Sequence, residues 1–202
     1  MIIKNKWATV VVHRMQASQG AMVVQKWTTP DADGADDVLS ATALTSAAQT
    51  ITTDITNPDF PRGLSIKGNA GGNAGDVVIT GTNIWDKVIT ETIALNGASE
   101  VQGSKAFKTV TSILLPAETH AGTDTVSVGI NDKLGLQSIP AVAYVENTYV
   151  DGTLEATAAT VTRSATLIES CTIDPHTALD AAKDVVAVYA SRNLTGHGGY
   201  TA

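Results

Sequence analysis

The four histidines, His13, His120, His176 and His197, are the first candidates for metal binding or proton transfer. No two stand two or four residues apart, so the chain holds no local metal motif. Only a site assembled from distant segments stays open to them. Among the carboxylates, Asp36 with Asp37, or Glu91 with Glu100, could in principle flank a sugar as acid and base. Asp36 and Asp37 read as part of a solvated loop, and Glu91 alternates with threonines on a strand face. Asp31, Asp33, Asp36 and Asp37 could together hold a calcium ion weakly, but their spacing fits no EF-hand loop.

Other chemistry is no better supported. Gly71-Gly72-Asn73-Ala74-Gly75-Asp76 invites comparison with a phosphate loop. Such a loop needs a Lys-Ser/Thr and a helix N-terminus behind it, and here an aspartate and a strand pattern follow. Gly103-Ser104-Lys105 lacks the same context. There is no Gly-x-Ser-x-Gly elbow. Cys171 lies in an apolar stretch with Leu167, Ile168 and Ile173, which reads as a buried structural thiol, and Pro175 before His176 marks a strand end. The sequon Asn193-Leu194-Thr195 has no secretory context to give it meaning. The residues therefore predict no catalytic group, no cofactor and no metal.

The tryptophans are more informative. Aromatic residues are only 4% of the chain, so Trp7, Trp27 and Trp85 are disproportionate sources of buried area. They serve either as core or as interface anchors, since tryptophan is enriched at binding hot spots. Trp85, in the turn Asn83-Ile84-Trp85-Asp86-Lys87, is the best interface candidate of the three.

The elements that would position these residues read as strands. Thr, Val, Ala and Gly dominate, and β-branched residues favour a pleated, half-buried surface. Alternation is plain at 7–14, 21–27, 76–82 and 87–95, then recurs at 100–115, 123–130, 141–150, 153–163, 165–173 and 185–190. Asn96-Gly97 and Asp151-Gly152 are hairpin signals, because a type I′ turn needs positive φ at both central positions. The only helix candidates are short, Thr177–Lys183 and a stretch near Ser40–Ala48. The pattern predicts an all-β protein, an antiparallel sandwich or barrel-like fold with an extended N-terminal arm.

Residues 1–50 are expected to form N-terminal strands and an arm or linker, 29–50 being the weakly patterned part. Residues 51–138 should form a sandwich core, and 139–202 further strands in the same sandwich or in a second small domain, with any division near Gln137–Pro140. An arm of this kind predicts that removing residues 1–28 spares the rest of the fold.

Charge bounds the partners. A net charge of −7, with no basic cluster, disfavours nucleic acid and anionic membranes alike. Nothing approaches the roughly 18 consecutive apolar residues of a membrane span. Ile2 and Ile3 run at once into Lys4 and Lys6, unlike a signal peptide, so synthesis in a cytoplasm is expected.

Several stretches resemble a family of tailed-bacteriophage structural proteins. These are Asn57-Pro58-Asp59-Phe60-Pro61-Arg62-Gly63-Leu64, the run 75–83, Ile89-Thr90-Glu91-Thr92-Ile93-Ala94-Leu95-Asn96-Gly97, Lys105–Val110, Asp124–Gly129 and Asp132–Leu136. Glu155–Val161 and Ala178-Leu179-Asp180 continue the likeness, which covers about residues 57–190 and leaves residues 1–50 outside. The resemblance implies a virion component with no catalytic motif, made in the host cytoplasm. With the strand-rich composition it leads to the expectation of a homo-oligomeric, capsid-associated decoration or cement protein. Its partners would be its own copies and other particle proteins, the major capsid protein first. The alternatives are a tail, neck or baseplate component, a glycan-binding module for the host surface, and a hydrolase whose acidic groups converge from afar.

Overall fold

The computed structural model describes residues 2–4, 9–14 and 21–192, the first two stretches by backbone alone. The chain is all-β and divides into two compact units. One is built from its two ends, up to Ala32 and from Asp132 onward; the other is Asp33–Asn131. In chain order the strands are β1 (Ile2–Lys4), β2 (Thr9–Arg14), β3 (Ala21–Trp27), β4 (Gly34–Ala43), β5 (Gln49–Ile51), β6 (Arg62–Gly68), β7 (Asp76–Thr82) and β8 (Val88–Ala94). They continue as β9 (Val101–Phe107), β10 (Thr109–Leu115), β11 (Thr125–Gly135), β12 (Asn147–Val150), β13 (Thr153–Leu154), β14 (Thr160–Thr162), β15 (Thr172–Asp174) and β16 (Val185–Ala190).

The central unit is a sandwich. One sheet runs β5-β10-β7-β8; facing it are β6, paired with β9 and β11, and β4, paired with β11. Alternation dictates the layers, because successive side chains of a strand point to opposite faces. On β7 and β8 it places Val77, Ile79, Ile89 and Ile93 inside while Val88, Thr90, Thr92 and Ala94 face out. The opposite sheet contributes Val38, Leu39, Leu64, Ile66, Phe107, Val126, Val128 and Ile130 to the same core. Each such fully buried aliphatic or aromatic side chain contributes about 1.5–3 kcal/mol. Small aliphatics thus do the packing that a chain poor in aromatics requires.

The unit formed by the two ends is built on a third antiparallel sheet, β1-β2-β3-β16-β12-β13. Its buried face carries Val23, Gln25 and Trp27 from β3 and Val185, Ala187 and Tyr189 from β16, in register Trp27 with Val185 and Gln25 with Ala187. Gln25 is a polar pin in this face. Its Nε2 donates to Gly135 O at 3.0 Å, and its Oε1 accepts from Gln137 N at 3.0 Å and the Tyr189 hydroxyl at 3.2 Å. Complete burial pushes the Tyr189 phenol up from its ordinary pKa. A short pair, β14 with β15, completes the unit, and β15 also pairs with Leu134 and Gly135 at the end of β11.

Several expectations are corrected. Residues 29–50 are not a linker or arm: Gly34–Ala43 is a strand paired with β11, with Val38 and Leu39 in the core. The unit boundaries fall at Ala32/Asp33 and Asn131/Asp132 rather than near Gln137–Pro140. The second lies inside β11, so an uninterrupted strand replaces the linker that composition would have marked. Removal of residues 1–28 would take β3 out from between β2 and β16.

Asn96-Gly97 does form a tight turn, with Ser99 N donating to Asn96 O at 3.0 Å. The flanking strands β8 and β9 nonetheless go to opposite sheets, so the turn is a sandwich corner and not a hairpin. Asp151-Gly152, with φ of 49° and 75°, closes the true hairpin β12–β13. Thr177–Lys183 and Ser40–Ala48 are not helical. Within the expected strand 165–173, Ile168–Ser170 is a 3-10 turn and only the end is extended.

Candidate functional site

The polar side chains that could do chemistry are used to fasten loops. Asp124, 2% exposed, accepts from Thr119 N and Thr119 Oγ1, both at 2.7 Å, and from His120 N at 2.8 Å. His120 Nδ1 lies 3.1 Å from its other oxygen. The hydroxyl, the imidazole and the carboxylate therefore resemble a triad in composition only. Thr119 Oγ1 and Asp124 meet the same ring nitrogen, at 3.2 and 3.1 Å, leaving the imidazole no position between nucleophile and acid. Burial works to raise the Asp124 pKa, but these bonds outweigh it and hold the carboxyl down to about 2.

A stability consequence follows. The folded carboxyl binds its proton more weakly than the unfolded one, so its contribution is whole above the ordinary value of 3.8 and is lost as pH falls toward about 2. Protection factors of the amides at residues 119–124, taken against the intrinsic exchange rate at each pH, should fall across that window in the wild type. Asp124→Asn should show low protection already at pH 6 and little further change on acidification. Acid-independent protection in the wild type would refute the clamp.

Glu91, 8% exposed on β8, is likewise occupied. Its carboxylate accepts from Ser104 N at 2.6 Å, Ser104 Oγ at 2.8 Å and Lys105 N at 3.3 Å, and Lys105 Nζ donates back to Thr90 O at 2.7 Å. These bonds tie the edge of one sheet to the other where β8 and β9 share no backbone pairing. Glu100, its suggested partner, is exposed. Gly103-Ser104-Lys105 is thus strand β9, not an anion loop.

In the Gly71–Asp76 loop, Gly97 N donates to Asn73 O, while Asn73 Nδ2 donates to Asn69 Oδ1 and Thr125 O, each at 3.0 Å. Asp36 and Asp37, expected in a loop, stand on β4 with exposed side chains. Among the described residues no three His, Cys, Asp or Glu side chains converge. Cys171 is fully buried, its thiol within 3.4 Å of Ser164 O and Leu167 O, and burial pushes its pKa up.

The three tryptophans separate. Trp7 lies outside the described residues. Trp27 is 1% exposed and is core, which corrects its candidacy as an interface residue. Trp85 is half-buried in the turn between β7 and β8, and this turn is strongly built.

Asn83, fully buried, accepts through Oδ1 from Trp85 N at 3.0 Å and Lys87 N at 3.2 Å. Its own N–H donates to Lys87 O at 2.9 Å, and Asp86 N donates to Asn83 O at 3.0 Å. Asp86 takes φ of 61°, a conformation aspartate tolerates through local hydrogen bonding, and Lys108 Nζ pairs with its carboxylate at 2.6 Å. The result is a rigid platform presenting Ile84 and Trp85, both half-buried, beside Val88, which is 76% exposed. Sequence reasoning found Trp85 but missed Asn83, whose signal was an asparagine preceding apolar turn residues.

The class these features define is an antiparallel β protein of two units in which Asn83, Glu91 and Asp124 fasten the chain's own backbone. No family model, curated protein or solved structure matches the chain.

Proposed function

We propose that this chain is a structural component of a tailed-bacteriophage particle, a capsid-associated decoration or cement protein that acts by contact between subunits and not by catalysis. The observation that carries this reading is the use made of the buried charged side chains. Arg62, Glu91 and Asp124 each spend their hydrogen bonds on this chain's own backbone and side chains. Such fastening suits a subunit that must hold its shape under load, and the resemblance over about residues 57–190 points to the particle.

The Trp85 platform is the anchor of its contact with another copy. A standard interface buries about 800 Å² per partner, so Ile84, Trp85 and Val88 would be the centre of a broader surface. Light scattering of the purified chain should find a symmetric oligomer. Trp85→Ser should weaken it by about 2 kcal/mol, roughly 30-fold in dissociation constant, with an unchanged far-UV spectrum. A wild-type monomer at every concentration would overturn the self-association.

A further inference from the structure

Asn96-Gly97 is the sequence's only Asn-Gly pair. Asparagine before glycine is the dipeptide most prone to self-deamidation, because no side chain hinders the glycine nitrogen. That nitrogen, once deprotonated, attacks Asn96 Cγ; the new C–N bond closes a succinimide and the side-chain nitrogen leaves as ammonia. Water then opens the ring, at one carbonyl to aspartate and at the other to isoaspartate, whose main chain is longer by a methylene.

In the folded protein three backbone groups of this pair are held. Gly97 N donates to Asn73 O at 3.0 Å, Gly97 O accepts from Gly68 N at 3.1 Å, and Asn96 O accepts from Ser99 N at 3.0 Å. On the preceding residue, Leu95 N donates to Gly75 O at 2.9 Å. Gly97 is buried at φ of 60°, packed so closely that a Cβ there would stand 2.6 Å from Gly71 O. Its nitrogen can neither shed its proton to solvent nor swing toward Asn96 Cγ without breaking the lock to residues 68–75. Asp151-Gly152 is the contrast: both residues are exposed, and a Cβ on Gly152 would meet nothing within 4 Å.

We infer that Asn96-Gly97 is a self-modification site gated by the lock between residues 68–75 and 95–99, silent while the lock is closed and reactive when it opens. Conversion is a one-way mark. It adds a negative charge to a chain already at −7, and the isoaspartyl form displaces Gly97 from the register that Asn73 and Gly68 require.

The test is peptide mapping of the full chain after incubation at mildly alkaline pH, folded and in denaturant. Deamidation at Asn96 should be at least about tenfold slower in the folded protein, the protection given by about 1.4 kcal/mol of local opening free energy. Asn73→Ala removes the bonds to Asn69 and Thr125 that hold the partner loop, leaving Asn96-Gly97 itself untouched. It should bring the folded rate toward the unfolded one while the far-UV spectrum is retained; Asn69→Ala serves if Asn73→Ala does not fold. Equal folded and unfolded rates in the wild type, or a folded variant as protected as the wild type, would overturn the inference.

Discussion

Replacing Asp59 with alanine is expected to cost the protein about 3–5 kcal/mol of unfolding free energy. Arg62 has a side chain that is 0% exposed, and its Nη1 lies 3.1 Å from Asp59 Oδ1, itself 17% exposed. Its Nε donates to Asn131 O at 2.8 Å, and Asn131 Nδ2 reaches Leu64 O at 3.0 Å, so the guanidinium is stitched into the strands it lies between. Burying a guanidinium is tolerable only with counter-charge and hydrogen bonds in place, and losing the Asp59 carboxylate removes the charge that Nη1 meets. The double variant Asp59→Ala/Arg62→Met should recover most of the loss, since an apolar side chain of similar length carries no desolvation penalty. Urea denaturation followed by circular dichroism separates the cases. A loss of under about 1 kcal/mol for Asp59→Ala would mean the pair behaves as a surface ion pair and contributes little.

The second large effect belongs to the other unit. Trp27→Ala should cost about 3–5 kcal/mol, because it empties the largest fully buried side chain from β3 opposite Val185. Deletion of residues 1–28 should go further. It removes the strand to which β16 is bonded from Val185 through Ala190, so β16, still paired with β12, becomes an edge whose N–H and C=O groups on the β3 side lose their partners. Loss of the near-UV spectrum and aggregation are the expected results. A soluble truncation with the wild-type near-UV spectrum would show that β3 is dispensable.

These two cases also show where the sequence was legible. Alternation is decisive on β7 and β8, where one face is buried and the other exposed, and there the strand boundaries fall within a residue or so of expectation. It fails on β4, whose pairing with β11 shifts register twice, so the period of two is broken and its acidic start reads as a loop. Turn chemistry foretold positive φ at Gly97 and Asp151-Gly152, but Asn96 does not take the positive φ that a type I′ turn requires there. It did not reveal that the strands around Gly97 part to opposite sheets, since a turn reports its own geometry and not the destination of its arms.

The Thr177–Lys183 segment has helix-forming residues but is too short to hold a helix by itself, and with Ala181 at φ of 58° it stays irregular. Of the interface candidates, Trp27 and Trp85 are the same residue type in different settings. Trp27 alternates with Val23 and Gln25 on one buried strand face, while Trp85 rides a turn that Asn83 holds rigid. The period around a tryptophan, more than its presence, separates core from surface.

Sedimentation of the purified chain with empty, undecorated phage shells tests the central claim most directly. The assembly reading predicts saturable co-sedimentation at a fixed ratio to the shell subunit, reduced by Trp85→Ser and unaffected by Asn73→Ala. A chain that stays in the supernatant at every concentration would contradict the capsid-associated role.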